Sequence, residues 1–181
     1  MKRALVVYAS ATGCTRGVAA QIAETVRCAG AEVDLRPVQD APDPRGYAAV
    51  IVGSGVRVSQ WRKPMRQWVA AHAGTLATRP VAFFTVGLIL QMFPEKVDEV
   101  RAYTDPLIEQ TGVHPVDVGL FTGWNQPDQF GRAERLMIRA MRAPVGDFRD
   151  LAAVTRWTAS VGPCLGLAEP GATAATGQDL P

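Results

Sequence analysis

The sequence predicts an α/β fold, a doubly wound parallel sheet of five strands with helices on both faces. Three observations lead there. Short apolar runs alternate along the chain with stretches of helical period. The middle runs are apolar at every position, as strands buried on both faces must be. The first run turns through small hydroxylated residues straight into a helix, a junction suited to holding a phosphate. Parallel strands need right-handed crossovers, and the expected order 2-1-3-4-5 places a ligand at the carboxyl ends of the strands, where the order reverses.

Each element follows in turn. Arg3 to Tyr8 reads as the first strand, and Thr15 to Ala29 as a helix with Val18, Ile22 and Val26 on one face and Gly30 as its stop. Glu32 to Val38 alternates like an edge strand, and Ala48 to Gly53 is a central strand. Lys63 to Ala73 forms a helix opened by Pro64, with Met65, Trp68 and Val69 at helical spacing. Pro80 to Val86 is the fourth strand; Glu95 to Thr111 is helical with a break at Asp105-Pro106; Val116 to Phe121 is the fifth strand. Thr122 to Phe130 reads as a loop and Arg132 to Ala143 as an amphipathic helix. A last helix follows the N-cap Asp150 and turns Leu151, Val154, Trp157 and Val161 inward.

A chain of 181 residues, 48% hydrophobic and 20% charged, suits one domain with its own core. That domain is expected over residues 1–161, with 162–181, rich in Ala, Gly, Thr and Pro, as a flexible tail. No apolar run reaches the roughly 20 residues that cross a bilayer, and the N-terminal Met-Lys-Arg leads into a strand the sheet needs, so the expected location is cytoplasmic. Cys14, Cys28 and Cys164 have neither disulfide nor zinc-site spacing, and no metal is expected. The net charge of +2, without a basic stripe or stacking platform, argues against nucleic acid.

The functional centre is the turn Ser10-Ala11-Thr12-Gly13-Cys14-Thr15. A helix start leaves backbone N–H groups unpaired and carries partial positive charge, so it holds an anion without a lysine. Ser10, Thr12 and Thr15 add hydroxyls, and Gly13 lets the backbone approach. Neither a Walker lysine nor a GxGxxG pattern is present. A helix start could also lower the pKa of Cys14, whereas a phosphate there would oppose the thiolate. Two further glycine-bearing segments fall at strand ends, Ser54-Gly55-Val56-Arg57 and Thr85-Val86-Gly87-Leu88.

The pattern Ser10-x-Thr12-Gly13-x-Thr15 resembles the phosphate loop of the flavodoxins, which wraps the terminal phosphate of FMN. The two later segments match the loops that flank the flavin ring in that family. Trp61 is either a stacking partner for the ring or a core residue at helical spacing with Met65 and Trp68. The segment Arg135-Leu136-Met137-Ile138-Arg139, then Gly146-Asp147 and a Trp-bearing final helix, resembles the menaquinone-dependent protoporphyrinogen oxidase branch of bacterial flavodoxin-like proteins.

That resemblance implies FMN as cofactor, a porphyrinogen as electron donor and a membrane quinone as acceptor. Arg57, Arg62, Lys63 and Arg66 become candidate clamps for porphyrinogen propionates, with a solvated helix face as the plainer alternative. Arg135, Arg139 and Arg142 become candidates for contact with an anionic membrane, provided the apolar stripe of their helix does not pack on the sheet. Leu88 to Phe93, nearly all apolar, must cover the ring, line a pocket or meet another molecule. His72 and His114 read as surface or packing residues. Two other functions stay open: a flavodoxin-type electron carrier, and a flavodoxin-like binding module without flavin.

Overall fold

The computed structural model describes residues 2–126, 131, 135, 136, 139, 140 and 143–167. A parallel sheet runs through its centre in the order β2 (Glu32–Pro37), β1 (Arg3–Ala9), β3 (Ala49–Arg57), β5 (Val81–Gly87), β6 (Val118–Thr122). The intervening β4 (Gln60–Trp61) is a two-residue strand paired antiparallel to β3, so the main strands follow the expected order 2-1-3-4-5. The helices are α1 (Cys14–Cys28), α2 (Lys63–Ala71), α3 (Ala73–Leu76), α4 (Ile89–Met92), α5 (Val97–Arg101), α6 (Asp105–Thr111) and α7 (Leu151–Val161).

The continuous apolar runs are buried on both faces, as expected. Alternate residues of each strand feed two separate cores. Ala4, Val6, Ile51, Ala82 and Phe84 pack beneath α1 and α7, whereas Leu5, Val7, Val50, Val52 and Phe83 pack beneath α2 and α6. Gly53 is a packing necessity: the ring of Phe84, fully buried, fills the space a β-carbon there would take. Asp150 caps α7 as expected, its carboxylate accepting from Ala153 N at 2.8 Å.

Several expectations are corrected. The helix expected over 95–111 starts later, at Val97, and passes through a 3-10 turn at Ala102–Thr104, while the break expected at Asp105-Pro106 is where α6 begins, since Pro106 suits a first turn and lacks the N–H a helix interior needs. The strand expected over 48–53 continues to Arg57 and folds back through a hairpin whose tip residues, Val58 and Ser59, both have positive φ (49° and 55°). Leu151 is 39% exposed, since the first turn of α7 overhangs the core that Val154 and Val161 enter. The loop expected over 122–130 contains β7 (Trp124–Asn125), paired with β8 (Gly146–Asp147). Residues 162–167, expected to begin the tail, return Leu165 and Leu167 to the core under α1; the rest of that tail lies outside the described residues.

Candidate functional site

The parallel register brings the expected segments together. Ala9 pairs with Ser54, Ser54 with Thr85 and Thr85 with Leu120, so one row crosses the sheet at its carboxyl edge. Residues 10–15 leave β1 at that row and enter α1. Gly13 takes a left-handed conformation (φ 83°) that a side chain would strain, and α1 has neither a side-chain cap nor an acid in its first turn. Ala11 is exposed, Thr12 and Gly13 are half-buried, and Thr15 is buried. Ser10 Oγ is buried, with no hydrogen-bond partner among the described residues. A buried hydroxyl in that condition costs about 1–3 kcal/mol unless something supplies its partner.

The second and third segments turn their side chains into scaffolding. Ser54 Oγ donates to Gly55 O and accepts from Arg62 N at 3.0 Å, while Thr85 Oγ1 accepts from Trp61 Nε1 at 2.9 Å. Trp61 is therefore a core residue, 2% exposed and 5.0 Å from the Phe83 ring, and it does not offer a face for stacking. What these segments present at the site is backbone. Gly55 lies against Thr15, whose Oγ1 would stand 3.0 Å from a β-carbon there, and Gly87 lies against Val56. Leu88, Ile89, Leu90 and Met92 form a half-buried apolar rim with Phe93 40% exposed beyond it.

Sequence reasoning passed over the fourth side of the site. Gly123 and Trp124 follow β6 and close on α1: Trp124 N donates to Cys14 Sγ at 3.2 Å, and its indole Nε1 donates to Thr12 Oγ1 at 3.2 Å. The Arg149 guanidinium lies 4.4 Å from the Trp124 ring and is held by both carboxylate oxygens of Asp147. That ion pair holds Asp147 below the usual carboxylate range and raises Arg149. The available signal was positional only, a tryptophan just beyond the last strand of a sheet whose strand ends form the site.

Cys14 is settled between the two influences the sequence left open. Burial pushes its thiol up, outweighing the Trp124 N–H and the nearby Arg149 charge, so the helix start does not make it a thiolate. Arg57 and Arg66 are exposed, Arg62 is half-buried at the N-cap of α2, and Arg62 and Arg66 share one helix face. Arg135, Leu136, Arg139 and Ala140 are helical and exposed, Leu136 by 71%, so at these positions the apolar stripe is not packed on the sheet; Arg142 lies outside the described residues. His72 packs its ring on Trp68 at 4.9 Å, and His114 is exposed. Among the described residues, no helix is long and apolar enough to cross a membrane and no cluster of His, Cys, Asp and Glu suits a metal.

Comparison with known proteins agrees with this architecture. The protoporphyrinogen IX dehydrogenase (quinone) of Escherichia coli (strain K12) is 21% identical over 160 residues, covering 86% of this chain and 88% of that protein. A flavodoxin from the domain Archaea superposes with a TM-score of 0.58 at 16% identity, covering 91% of this chain and 99% of the other. A flavoprotein in complex with FMN from Lactobacillus acidophilus gives a TM-score of 0.50 at 14% identity, covering 66% and 93%. The flavodoxin domain family matches residues 5–151, with the loop at 10–15, most of β1 and the other four main strands inside the match, and the chain belongs to that family.

Proposed function

We propose that the protein is an FMN-dependent oxidoreductase that passes electrons from a porphyrinogen-like donor to a quinone. The carrying observation is the loop at 10–15: a left-handed Gly13, an uncapped helix start and the unpartnered Ser10 Oγ together suit a phosphate monoester. The FMN bound by the structural relative and the activity in the name of the Escherichia coli relative support the same reading. When bound, FMN accepts and releases the electrons. The chain holds the phosphate through residues 10–15 and lets the ring approach the backbone at Gly55 and Gly87. The apolar rim at 88–92 keeps water from the ring.

Arg57 ends β3 in the second segment and Arg62 and Arg66 lie at the start of α2 just after it, and guanidinium forks there suit the carboxylates of a porphyrinogen. On the acceptor side, Leu136 is exposed between Arg135 and Arg139 on one helical turn, the arrangement of a surface that meets anionic lipid. Peripheral contact with the inner face of a membrane would bring the site to its quinone.

Three experiments test the reading. Replacing Thr12 and Thr15 by Ala should weaken FMN binding by about 1 kcal/mol or more for each hydrogen bond lost, and unchanged affinity in the double variant would refute the phosphate loop. Neutralising Arg135, Arg139 and Arg142 together should reduce liposome binding and quinone-linked turnover at low salt, at about 1 kcal/mol per basic residue, while FMN affinity holds. Equal liposome binding by the triple variant would remove the membrane from the proposal. A donor and quinone assay separates the oxidoreductase from a plain electron carrier.

A further inference from the structure

We infer that Arg149 reads the charge of the bound phosphate, making this flavodoxin-family loop selective for the phosphorylated flavin through a side-chain cation brought from the far end of the chain. The inference rests on the FMN reading and adds a residue to it. Its starting point is an electrostatic conflict. The N-terminus of α1 carries partial positive charge, with no acidic residue in its first turn to offset it. Against this same turn the fold packs a guanidinium, whose Nη1 occupies the space a β-carbon on Gly17 would fill and whose Cζ is 3.5 Å from that point. Asp147 offsets this charge from the side away from α1, and an anion at the helix start would meet the guanidinium from the other side.

The surroundings hold the cation in position. Asp147 takes Nε and Nη2 in a fork, which leaves Nη1 as the nitrogen directed at α1. The guanidinium side chain is 19% exposed and that of Asp147 42%, and at Cys14, inside the loop, the charge of Arg149 acts more strongly than that of Asp147. Trp124 contacts both partners: its ring lies under the guanidinium, its edge is 3.6 Å from the β-carbon position of Gly13, and its Nε1 donates to Thr12. Ser10 Oγ, buried and without a partner among the described residues, is a second, independent sign that this loop awaits an acceptor.

Gly17 supports the same arrangement. Glycine in a helix costs about 1 kcal/mol relative to alanine, and here its missing side chain is what admits Nη1. Gly17→Ala therefore offers a variant that favours the helix yet expels the arginine.

The test titrates FMN and riboflavin separately into wild type, Arg149→Met and Gly17→Ala, following the quenching of flavin fluorescence. Riboflavin lacks the phosphate and serves as the internal control for folding and ring contacts. The expected result is an FMN affinity about tenfold lower in both variants with riboflavin affinity unchanged, and an FMN loss in wild type as salt rises. An FMN-to-riboflavin ratio equal to wild type in both variants overturns the role of Arg149, and so does a parallel loss of both ligands. A wild type that binds both flavins equally, or neither, fails at the phosphate loop itself, an outcome distinct from an unchanged ratio.

Discussion

The hydrogen bond from Trp61 Nε1 to Thr85 Oγ1 joins the hairpin after β3 to the end of β5, and its removal should be felt in both stability and ligand affinity. The partners are 2% and 1% exposed and 2.9 Å apart, so water cannot replace either one. Trp61→Phe strands the Thr85 hydroxyl, at about 1–3 kcal/mol, and leaves a gap beside Phe83 worth about 1 kcal/mol more. A total near 3 kcal/mol corresponds to a fall in Tm of about 6–12 °C for a domain of this size. Thr85→Val keeps the shape, strands the indole N–H instead, and should cost about 1–3 kcal/mol. In the double variant neither group is stranded, so its loss should fall short of the sum by about 1 kcal/mol or more. Urea denaturation of the four proteins measures this directly. Losses that add to within about 0.5 kcal/mol would show that the two residues act independently and refute the tie. FMN titration should show the single variants binding more weakly, because the bond fixes the β3–β4 hairpin against Thr85, at the start of the third segment.

Three more predictions follow from burial. Thiol titration of the folded protein should find Cys28 and Cys164 reactive and Cys14 protected until denaturant is added. Because burial raises the Cys14 pKa, its contribution to stability is complete below the ordinary thiol pKa of about 8.5 and is lost as pH rises from there through the folded value; Cys14→Ala should flatten that alkaline decline in Tm. Gly53→Ala drives a methyl into the fully buried Phe84 ring and should destabilise by about 1–3 kcal/mol or more, read as a lower urea midpoint; an unchanged midpoint would mean the ring has room to move.

The parts of the fold visible in the sequence are those where one local rule decides. β1, β3 and β5 are apolar on both faces because both faces are covered, and that composition is unambiguous. The loop at 10–15 is legible because hydroxyls and glycine before a helix serve one geometry. What escaped depends on partners far along the chain. β7 and β8 are two residues each, too short to show any period. The β3–β4 hairpin turns on Val58-Ser59, where asparagine and glycine are the usual signal, and without that turn Trp61 could not be assigned to the core. Arg149 sits just outside a helix cap, with nothing in its neighbours to mark a contact across 132 residues to Gly17. The pKa of Cys14 likewise follows from tertiary burial, which overrides the helix start that the sequence displays.

The closure of α1 by Gly123, Trp124 and Arg149 also orders events during biosynthesis. The loop at 10–15 is synthesised before the groups that complete it, which follow more than a hundred residues later, and α7, packed on α1, follows later still. A nascent chain therefore exposes the loop as a solvated turn throughout elongation, without the tryptophan that roofs it. A chain truncated before Trp124 would lack that roof even if β1 and α1 had formed.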